Sequence, residues 1–377
     1  MRIIKLESFT KPYISVVRLT MEDGSIGWGQ MSTYHADITA QIFHRQLVPH
    51  VLGARLESIT EDLDDLGRLV LEKEHKFPGS YLLRALAGLD TAVWDWYGRQ
   101  QEKPVTSLIG GSPGQLRAYA SSMKRDITAD EELARFQGLR ERFGFDAFKF
   151  RIAAECGRGV DEWPERSQQI ITTIGRGMAE TGSADGVALL VDANSGFTAD
   201  QAIAIGRLLE DNGISHFEEP CPYWQPEETR KVTQALGIDV SGGEQDCDLR
   251  IWADMLDRHI VDIPQPDVMY MGGLTRCLKV AAMADAAGYP CTPHAANLSL
   301  VTICTMHLLR AIPNAGKYLE LSIEAEDYYP WQQGLFCGDP FAVSDGMVRI
   351  DDTPGWGVEF NPEWLADAEY QLAEWAG

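Results

Sequence analysis

The middle of the chain repeats one pattern, seen in VALLVDAN (187–194), ISHFEEP (214–220) and IDVSGGEQD (238–246). Each is an apolar run that ends in an acidic residue, and a segment with helical spacing follows it. The acidic residues Asp192, Glu218 and Glu244 stand 26 residues apart, and one strand–helix unit occupies roughly 30 residues. The spacing therefore predicts three consecutive parallel strands whose carboxyl ends bring three carboxylates to one mouth of a barrel.

The rest of the barrel can be followed outward from these runs. Further apolar runs are LRAYASS (116–122), FDAFKFRI (145–152), HIVDIPQPDV (259–268), YPCTPHA (289–295) and YLELS (318–322). Eight strands that alternate with helices favour an α/β fold of the TIM-barrel type over an open doubly wound sheet. No Gly-x-Gly-x-x-Gly follows a strand, which disfavours a dinucleotide-binding fold.

The two ends of the chain differ from this middle part. Residues 1–30 alternate around a turn at Glu22–Ser25, as in a hairpin or small meander, and helical segments follow. The glycine-rich run from Ile109 to Gly114 looks like a domain junction, and after about Phe341 only short strands and turns are expected. We expect an N-terminal α+β domain, a barrel and a tail that packs on the first domain, with the bounds 1–114, 115–340 and 341–377.

Composition limits the class of function. The 377 residues carry 33 Lys and Arg against 56 Asp and Glu, a net charge of −23, which argues against binding nucleic acid or an anionic membrane. The N-terminus has no apolar signal-peptide region, and no run approaches a membrane span. The seven cysteines are scattered without a Cys-x-x-Cys pair, so we expect reduced thiols in a cytoplasmic protein.

The three strand-end acids are candidate metal ligands. A single such carboxylate is more often a helix N-cap, but three at one spacing should converge, and their repulsion requires a cation. Oxygen-only ligands suit a hard divalent ion, most simply Mg²⁺, on Asp192, Glu218 and Glu244. Asn194 shares a strand face with Asp192, and we place it among the substrate-facing residues, where it would support the metal or its water.

A candidate general base stands on the next two strands. His294 and Asp267 both fall near carboxyl ends, and a carboxylate bonded to one ring nitrogen fixes the tautomer of a histidine and raises its basicity. The alternative for His294 is a core residue whose hydrogen bonds are satisfied. Its place beside the three acids favours catalysis.

Two cations and one further acid complete the candidate catalytic set. Lys149 and Arg151 alternate on the second strand, so both side chains point the same way. They would hold a substrate carboxylate, or Lys149 would transfer a proton; the alternative is a buried ion pair with the acids. Arg151 is a poor base because its guanidinium stays protonated. Glu320 ends the last strand and could donate a hydrogen bond to a developing oxyanion, or be a surface carboxylate.

Several of these motifs together resemble the enolase superfamily, and within it the mandelate racemase-like subgroup. The resemblance covers nearly the whole chain and rests on the strand ends VDAN, FEEP and GGEQ and on four longer segments: ALAGLDTAVWDWYGRQQEKPVTSLIGG (85–111), DIPQPDVMYMGGLTR (262–276), TPHAANLS (292–299) and PGWGVEFN (354–361). It implies an α+β capping domain, joined by the C-terminal tail, over a (β/α)₇β barrel. It also implies Mg²⁺ on the three acids, an Asp267–His294 dyad and abstraction of the proton alpha to a carboxylate, giving a metal-stabilised enediolate.

The chain departs from the racemases of that subgroup at one position. Where they carry Lys-x-Lys on the second strand, this chain has Lys149-Phe150-Arg151. One strong base, His294, suits elimination of water better than racemisation, which needs a base or acid on each face. We therefore expect a dehydratase that converts an aldonate or aldarate to a 2-keto-3-deoxy acid. The alternatives are a racemase or epimerase of a 2-hydroxy acid, a cycloisomerase or dipeptide epimerase, and a metal-binding barrel without activity.

The resemblance also bears on specificity and assembly. The polar stretch from Met31 to Asp37 resembles the specificity loop of the family, and its Tyr34 and His35 would suit a polyol substrate. The family pattern further suggests a homo-oligomer, from dimer to octamer.

Overall fold

The computed structural model of the protein describes residues 1–180, 186–325 and 327–377. Its strands are β1 (Ile3–Lys11), β2 (Ile14–Met21), β3 (Ile26–Gln30), β4 (Gly114–Ser121), β5 (Ala147–Arg151), β6 (Ala188–Asp192), β7 (His216–Glu218), β8 (Asp239–Gly242), β9 (Ile263–Pro264), β10 (Leu319–Ser322), β11 (Met347–Ile350) and β12 (Glu369–Glu374). Its α-helices are α1 (Ala36–Ile42), α2 (Val48–Val51), α3 (Ile59–Lys73), α4 (Ser80–Gln100), α5 (Val105–Leu108), α6 (Ala129–Phe143), α7 (Arg166–Ala179), α8 (Ala199–Asp211), α9 (Pro226–Ala235), α10 (Leu249–Asp257), α11 (Val268–Met271), α12 (Leu274–Ala287), α13 (Leu300–Leu309) and α14 (Pro362–Ala366), and a π-helical turn, Phe43–Leu47, joins α1 to α2.

The N-terminal part is a sheet covered by helices. Its four strands run in the order β12-β1-β2-β3, and every neighbouring pair is antiparallel. Helix α4 packs directly on β3, because Gly27 and Gly29 have no side chain and a Cβ at either would overlap the backbone of Ala92. This close approach seats α4, which is buried along most of its length, between the sheet and the barrel.

The barrel strands are parallel and follow the order β10-β4-β5-β6-β7-β8-β9. Their register sets Arg151 opposite Asp192 and Asp192 opposite Glu218, so these side chains lie at one level of the mouth. The α/β fold class, a modified TIM barrel under an α+β cap, is as the sequence predicts.

The seventh barrel position differs from the expected regular strand. Residues 289–295 contain Pro290 and Pro293, which have no backbone N–H to donate to a sheet. Isolated parallel bridges, Asp267 with His294 and Cys291 with Ala315, link this segment to its surroundings between β9 and β10. The segment therefore keeps its place in the barrel with few ladder hydrogen bonds, and the bridge at His294 holds the catalytic candidate beside Asp267.

The C-terminal segment contacts both parts of the molecule. Strand β12 joins the cap sheet beside β1, whereas β11 pairs antiparallel with the barrel strand β4. Between them, the Trp356 indole donates to the carbonyl of Thr91 on α4, and its backbone N–H donates to Asp95. The division at residues 114 and 340 stays a prediction.

Two further expectations concern the cysteines and membrane-spanning segments. All seven cysteines are free thiols. No helix in the described part of the chain is long and apolar enough to cross a membrane.

Candidate active site

Lys149 lies at the centre of the barrel mouth and is buried. Its Nζ lies 2.8 Å from Glu218 Oε2, 2.7 Å from Glu320 Oε1 and 3.7 Å from Asp192 Oδ2. Burial alone would lower the pKa of Lys149, but the Glu218 and Glu320 carboxylates outweigh it and raise that pKa. Lys149 is therefore a fixed cation in this arrangement, which suits binding of a carboxylate better than proton transfer.

Arg151 extends from the same strand toward β6. Its Nη1 contacts Asp192 Oδ2 and donates to Asn194 Oδ1 at 2.9 Å, while Nε donates to the carbonyl of Ser122 at 3.1 Å. Asn194 in turn donates to Asp192 through its backbone N–H at 2.7 Å. The guanidinium is thus held on three sides, and Asn194 is oriented toward the same carboxylate.

His294 and Asp267 form the predicted pair. His294 Nδ1 lies 2.7 Å from Asp267 Oδ2, and its Nε2 lies 3.1 Å from Glu244 Oε2 and 4.0 Å from Glu320 Oε2. Burial opposes a charge on this ring, but Glu244, the Asp267 hydrogen bond and Glu320 raise the pKa of His294 to about 10. The structure therefore pairs Nε2, the nitrogen that would take a proton, with a predicted metal ligand.

Glu320 is an acceptor from three directions. Lys149 contacts it, Ser121 Oγ donates to it at 2.8 Å and the backbone N–H of Ala295 donates at 3.0 Å. Burial would raise the pKa of Glu320, but Lys149 and then His294 lower it below its ordinary value. An ionised carboxylate cannot donate a hydrogen bond, so the donor role expected from the sequence would require Glu320 to gain a proton first.

The predicted metal ligands reach the same mouth but do not form a cluster. No group of three or more His, Cys, Asp or Glu side chains in residues 1–180, 186–325 and 327–377 is arranged to hold a metal. Asp192 pairs with Arg151, Glu218 with Lys149 and Glu244 with His294. Each of the three carboxylates is thus paired with a nearby cation, which offsets the repulsion among them.

The donor set nevertheless fits a hard divalent cation. Asp192, Glu218 and Glu244 offer only oxygen, the ligand type that Mg²⁺ prefers. Next to them, Glu219 is buried with one carboxylate oxygen, Oε1, that has no hydrogen-bond partner. Burial and then the nearby Glu244 and Glu218 raise the pKa of Glu219 well above its usual range, which favours its uncharged form.

Tyr34 and His35, which the sequence predicts as substrate contacts, lie in the cap just before α1. Tyr34 and His35 both have positive φ, 60° and 45°, a conformation that costs non-glycine residues energy and is common at ligand sites. Tyr34 forms a side-chain hydrogen bond with Tyr329, which follows the last barrel strand, and Arg151 exerts an electrostatic effect on it. Both also line an open cavity of about 230 Å³ together with Tyr270, whose ring centroid lies 6.0 Å from that of His294. Their role as substrate contacts stays a prediction.

Arg125 is a further cation near the site, and it was not among the residues predicted from the sequence. It follows β4, donates from Nε to the carbonyl of Ala153 at 2.9 Å and contacts Asn194 Oδ1 through Nη2. Burial, and then the neighbouring Arg151, lower the pKa of Arg125 to about 10. Arg125 stands four residues beyond the end of β4, the first barrel strand. The pattern that predicted the acids, a charged residue after an apolar run, would predict Arg125 as well if it included basic residues in the loop after the strand.

Comparison with known proteins places the chain in a family. Residues 4–110 match the mandelate racemase/muconate lactonizing enzyme N-terminal domain family, and residues 115–364 match the enolase C-terminal domain-like family. The arabinonate dehydratase of Saccharolobus solfataricus is 26% identical over 349 residues, which cover 91% of this chain and 87% of the relative.

Solved structures agree over the whole chain. A protein from Roseobacter denitrificans described as a candidate racemase is 57% identical, with a TM-score of 0.95 over 99% of this chain and 100% of that one. A mandelate racemase/muconate lactonizing protein from Paracoccus denitrificans, in complex with magnesium, is 26% identical, with a TM-score of 0.86 over 99% and 98% of the two chains. The chain belongs to the enolase superfamily and, within it, to the mandelate racemase-like subgroup.

Proposed function

We propose that the protein is an Mg²⁺-dependent hydro-lyase that removes water from an acid sugar and yields a 2-keto-3-deoxy acid. The observation that carries the proposal is the geometry of His294. Its Nδ1 is fixed by Asp267 and its Nε2 faces the predicted metal ligand Glu244 and Glu320, so one imidazole is presented to the mouth where a substrate carboxylate would bind. The arabinonate dehydratase among the relatives supports the same reaction class.

Asp192, Glu218 and Glu244 would hold the metal. Bound there, Mg²⁺ supplies a positive charge that stabilises negative charge developing on the substrate carboxylate. Glu244 also bears on the base, because its carboxylate lies 3.1 Å from His294 Nε2 and favours a cationic imidazole, whereas proton abstraction needs the neutral ring. If Glu244 served as a metal ligand, it would leave Nε2 to the substrate. The magnesium complex of the Paracoccus protein supports the choice of ion.

The chain's own residues divide the reaction between them. Lys149 and Arg151 would bind and orient the carboxylate of the substrate, because both are buried cations that project to the same side of one strand. Neutral His294 takes the proton from C2 through Nε2, and the C–H electron pair passes into the C1–C2 bond of an enediolate. As the C3 hydroxyl leaves as water with the proton that His294 returns, that pair forms the C2–C3 double bond, and the resulting enol tautomerises to the 2-keto acid.

Racemisation is the second candidate, because the 57% identical Roseobacter protein is described as a candidate racemase. It requires an acid or base on each face of C2. Arg151 stands where the second lysine of the racemases would be, and a guanidinium keeps its proton. Lys149 contacts two carboxylates at 2.7 and 2.8 Å, which favours its charged form. Neither side chain is suited to act as the second base, so we rank elimination first.

The test is a screen of aldonates and aldarates with Mg²⁺, read by formation of a 2-keto acid. His294→Asn should lower kcat/KM by about 10²–10⁴-fold, the usual contribution of a positioned acid or base. The same reactions run in D₂O separate the two candidates by proton NMR. Deuterium in both configurations of recovered substrate, without dehydrated product, would establish racemisation and refute elimination.

A further inference from the structure

An open cavity of about 230 Å³ lies between residues of the cap and Tyr270. It is lined by loop residues before α1, by the first turns of α4 and by Tyr270 on α11. Its lining residues are Thr33, Tyr34, His35, Ser80, Tyr81, Arg84 and Tyr270. Water occupies about 30 Å³ per molecule in the liquid, so the space can hold a small polar group together with several waters.

Arg84 makes this cavity cationic. Its guanidinium carbon lies 3.5 Å from the centroid of the Tyr270 ring, and Nη1 donates to Ser32 Oγ. No acidic side chain lines the cavity, and Arg84 forms no ion pair with any residue of the described ranges. A guanidinium offers five N–H donors in a planar fork that fits a carboxylate, so a half-buried arginine without an acid is suited to a carboxylate from a ligand.

The cavity lies within reach of the reacting atoms. Tyr270 is shared between the two places, because its ring centroid is 6.0 Å from that of His294 and 3.5 Å from the Arg84 guanidinium. Together, the two distances place the Arg84 guanidinium carbon at most 9.5 Å from the centre of the His294 ring. Three backbone bonds span about 3.3–3.6 Å when extended, so the four C–C bonds from C2 to C6 of a six-carbon acid span about 5 Å by the same geometry. The contact of C2 with His294 at one end and a hydrogen bond from Arg84 to the C6 carboxylate at the other then cover the remaining distance.

We propose that this cavity is the subsite for a second carboxylate, held by Arg84, and that the substrate is an aldarate, a sugar with a carboxylate at both ends. The inference rests on the proposed function, because it takes the first carboxylate to lie at Lys149 and the metal site with C2 facing His294. Tyr34 and His35, from the cap loop, then lie beside the far end of the substrate rather than at the reacting carbon.

Arg125 serves the other end of the substrate. Its guanidinium contacts Asn194, which is bonded to Asp192, so it belongs to the side of the mouth where the metal ligands lie. Arg84 is on α4 in the cap and contacts the ring next to His294. A substrate that extends from Lys149 past His294 meets Arg84 with its distal group, whereas Arg125 stays beside the proximal one.

The first experiment compares two substrates that differ at one end only. Galactarate and galactonate, and likewise glucarate and gluconate, share stereochemistry and differ in a carboxylate or a hydroxymethyl group at C6. We expect wild-type kcat/KM to be at least tenfold higher for the diacid of the accepted pair. Arg84→Gln should lower this diacid-to-monoacid ratio by ten- to a hundredfold, and Arg84→Lys should lower it less. Arg68→Gln, an exposed cap arginine paired with Asp65, should leave the ratio unchanged.

The second experiment measures binding without turnover. In the His294→Asn background with Mg²⁺, calorimetry should give tighter binding of the diacid, and adding Arg84→Gln should remove that preference. Equal or tighter binding of the monoacid would overturn the subsite, as would failure of every acid to bind. An equal loss of affinity for both substrates in Arg84→Gln would also overturn it, because it would show a positioning effect through Tyr270. A change of the diacid-to-monoacid ratio in Arg125→Gln instead of Arg84→Gln would do the same.

The two proposals fail in different ways. A 2-keto acid formed from monoacids alone would refute the second-carboxylate subsite and leave the dehydratase reaction standing. A diacid that binds through Arg84 but gives no 2-keto acid would refute the reaction and leave the subsite standing.

Discussion

Asp267 connects two parts of the site through its two carboxylate oxygens. Oδ1 accepts hydrogen bonds from the backbone N–H groups of Met269 and Tyr270 at the start of α11, at 2.7 and 2.9 Å, and Oδ2 holds His294 Nδ1. Asp267→Asn can keep the first contact through its carbonyl oxygen, but its NH₂ group then faces Nδ1. Nδ1 must accept, so the proton moves to Nε2 and the ring cannot take one from the substrate. We expect kcat/KM for dehydration to fall about 10²–10⁴-fold, with the thermal unfolding midpoint nearly unchanged.

Asp267→Ala is the matched comparison, because it removes both contacts. It should lose activity as well and also lose about 1 kcal/mol of stability, the usual cost of removing a helix N-cap. Thermal unfolding by circular dichroism separates the two variants. An Asp267→Asn enzyme with wild-type activity would show that the tautomer of His294 is not set by this residue.

The positions of individual side chains were predictable where the periodicity of a strand determines them. The spacing of Asp192, Glu218 and Glu244 predicted that they reach one mouth, and the register of β6 and β7 does set the first two side by side. Which cation each acid would meet was not predictable, since it depends on side-chain rotamers. Arg84 could not be found either, because its contact with Tyr270 depends on how the cap sits on the barrel, and no local sequence pattern reports that.

Helix α13 is linked to α5 and to the C-terminal segment by one buried histidine. His307 Nδ1 accepts from the backbone N–H of Thr106 on α5 at 2.9 Å, and Nε2 donates to the carbonyl of Trp356 at 3.3 Å. This bonding needs the neutral ring, and burial lowers the pKa of His307 to about 4. The hydrogen bond to the Trp356 carbonyl and then the electrostatic effect of Asp351 oppose this shift. His307 is therefore a neutral link between the barrel, α5 and the C-terminal segment.

The link makes the stability of the protein depend on pH. The unfolded chain binds a proton near pH 6.5 and the folded chain only near pH 4, so the contribution is complete above pH 6.5 and is lost as the pH falls toward 4. The full difference is roughly 3 kcal/mol. Urea unfolding at pH 7 and pH 5 should show that His307→Gln, which cannot titrate, loses less stability than the wild type over this interval. A stability difference between the two proteins that stays constant with pH would contradict the assignment.

The seventh barrel segment marks the limit of prediction for elements. Its apolar run predicted a strand in the right place, but Pro290 and Pro293 leave only isolated bridges. The C-terminal tail was expected on the cap, and β12 is there, yet β11 pairs with the barrel strand β4. A short strand of this kind pairs with whichever sheet edge is left unpaired nearby. The position of that edge depends on the assembled fold and not on the local sequence.

For the whole molecule, the mouth of the barrel concentrates negative charge in a protein whose net charge is already −23. Asp192, Glu218 and Glu244 meet there with Lys149, Arg151 and His294 as their cations, and the buried Glu219 lies next to Glu218 in the chain. A divalent cation that binds only the folded chain must stabilise it, by RT ln(1 + [L]/Kd), or about 2.7 kcal/mol when the ion is at 100 times its Kd. We expect Mg²⁺ to raise the unfolding midpoint and EDTA to reverse the rise.

The source of that stabilisation can be located by substitution. Glu244→Gln should abolish the shift with Mg²⁺, because it removes a charged ligand, whereas Glu132→Gln should keep it. Glu132 is also buried and is paired with Arg135 on α6, so it controls for the loss of any buried carboxylate. The readout is the midpoint with and without Mg²⁺ in each variant and needs no substrate. A shift retained in Glu244→Gln and in the matching Asp192→Asn and Glu218→Gln variants would show that the ion binds elsewhere, and the three acids would then be a purely electrostatic lining of the mouth.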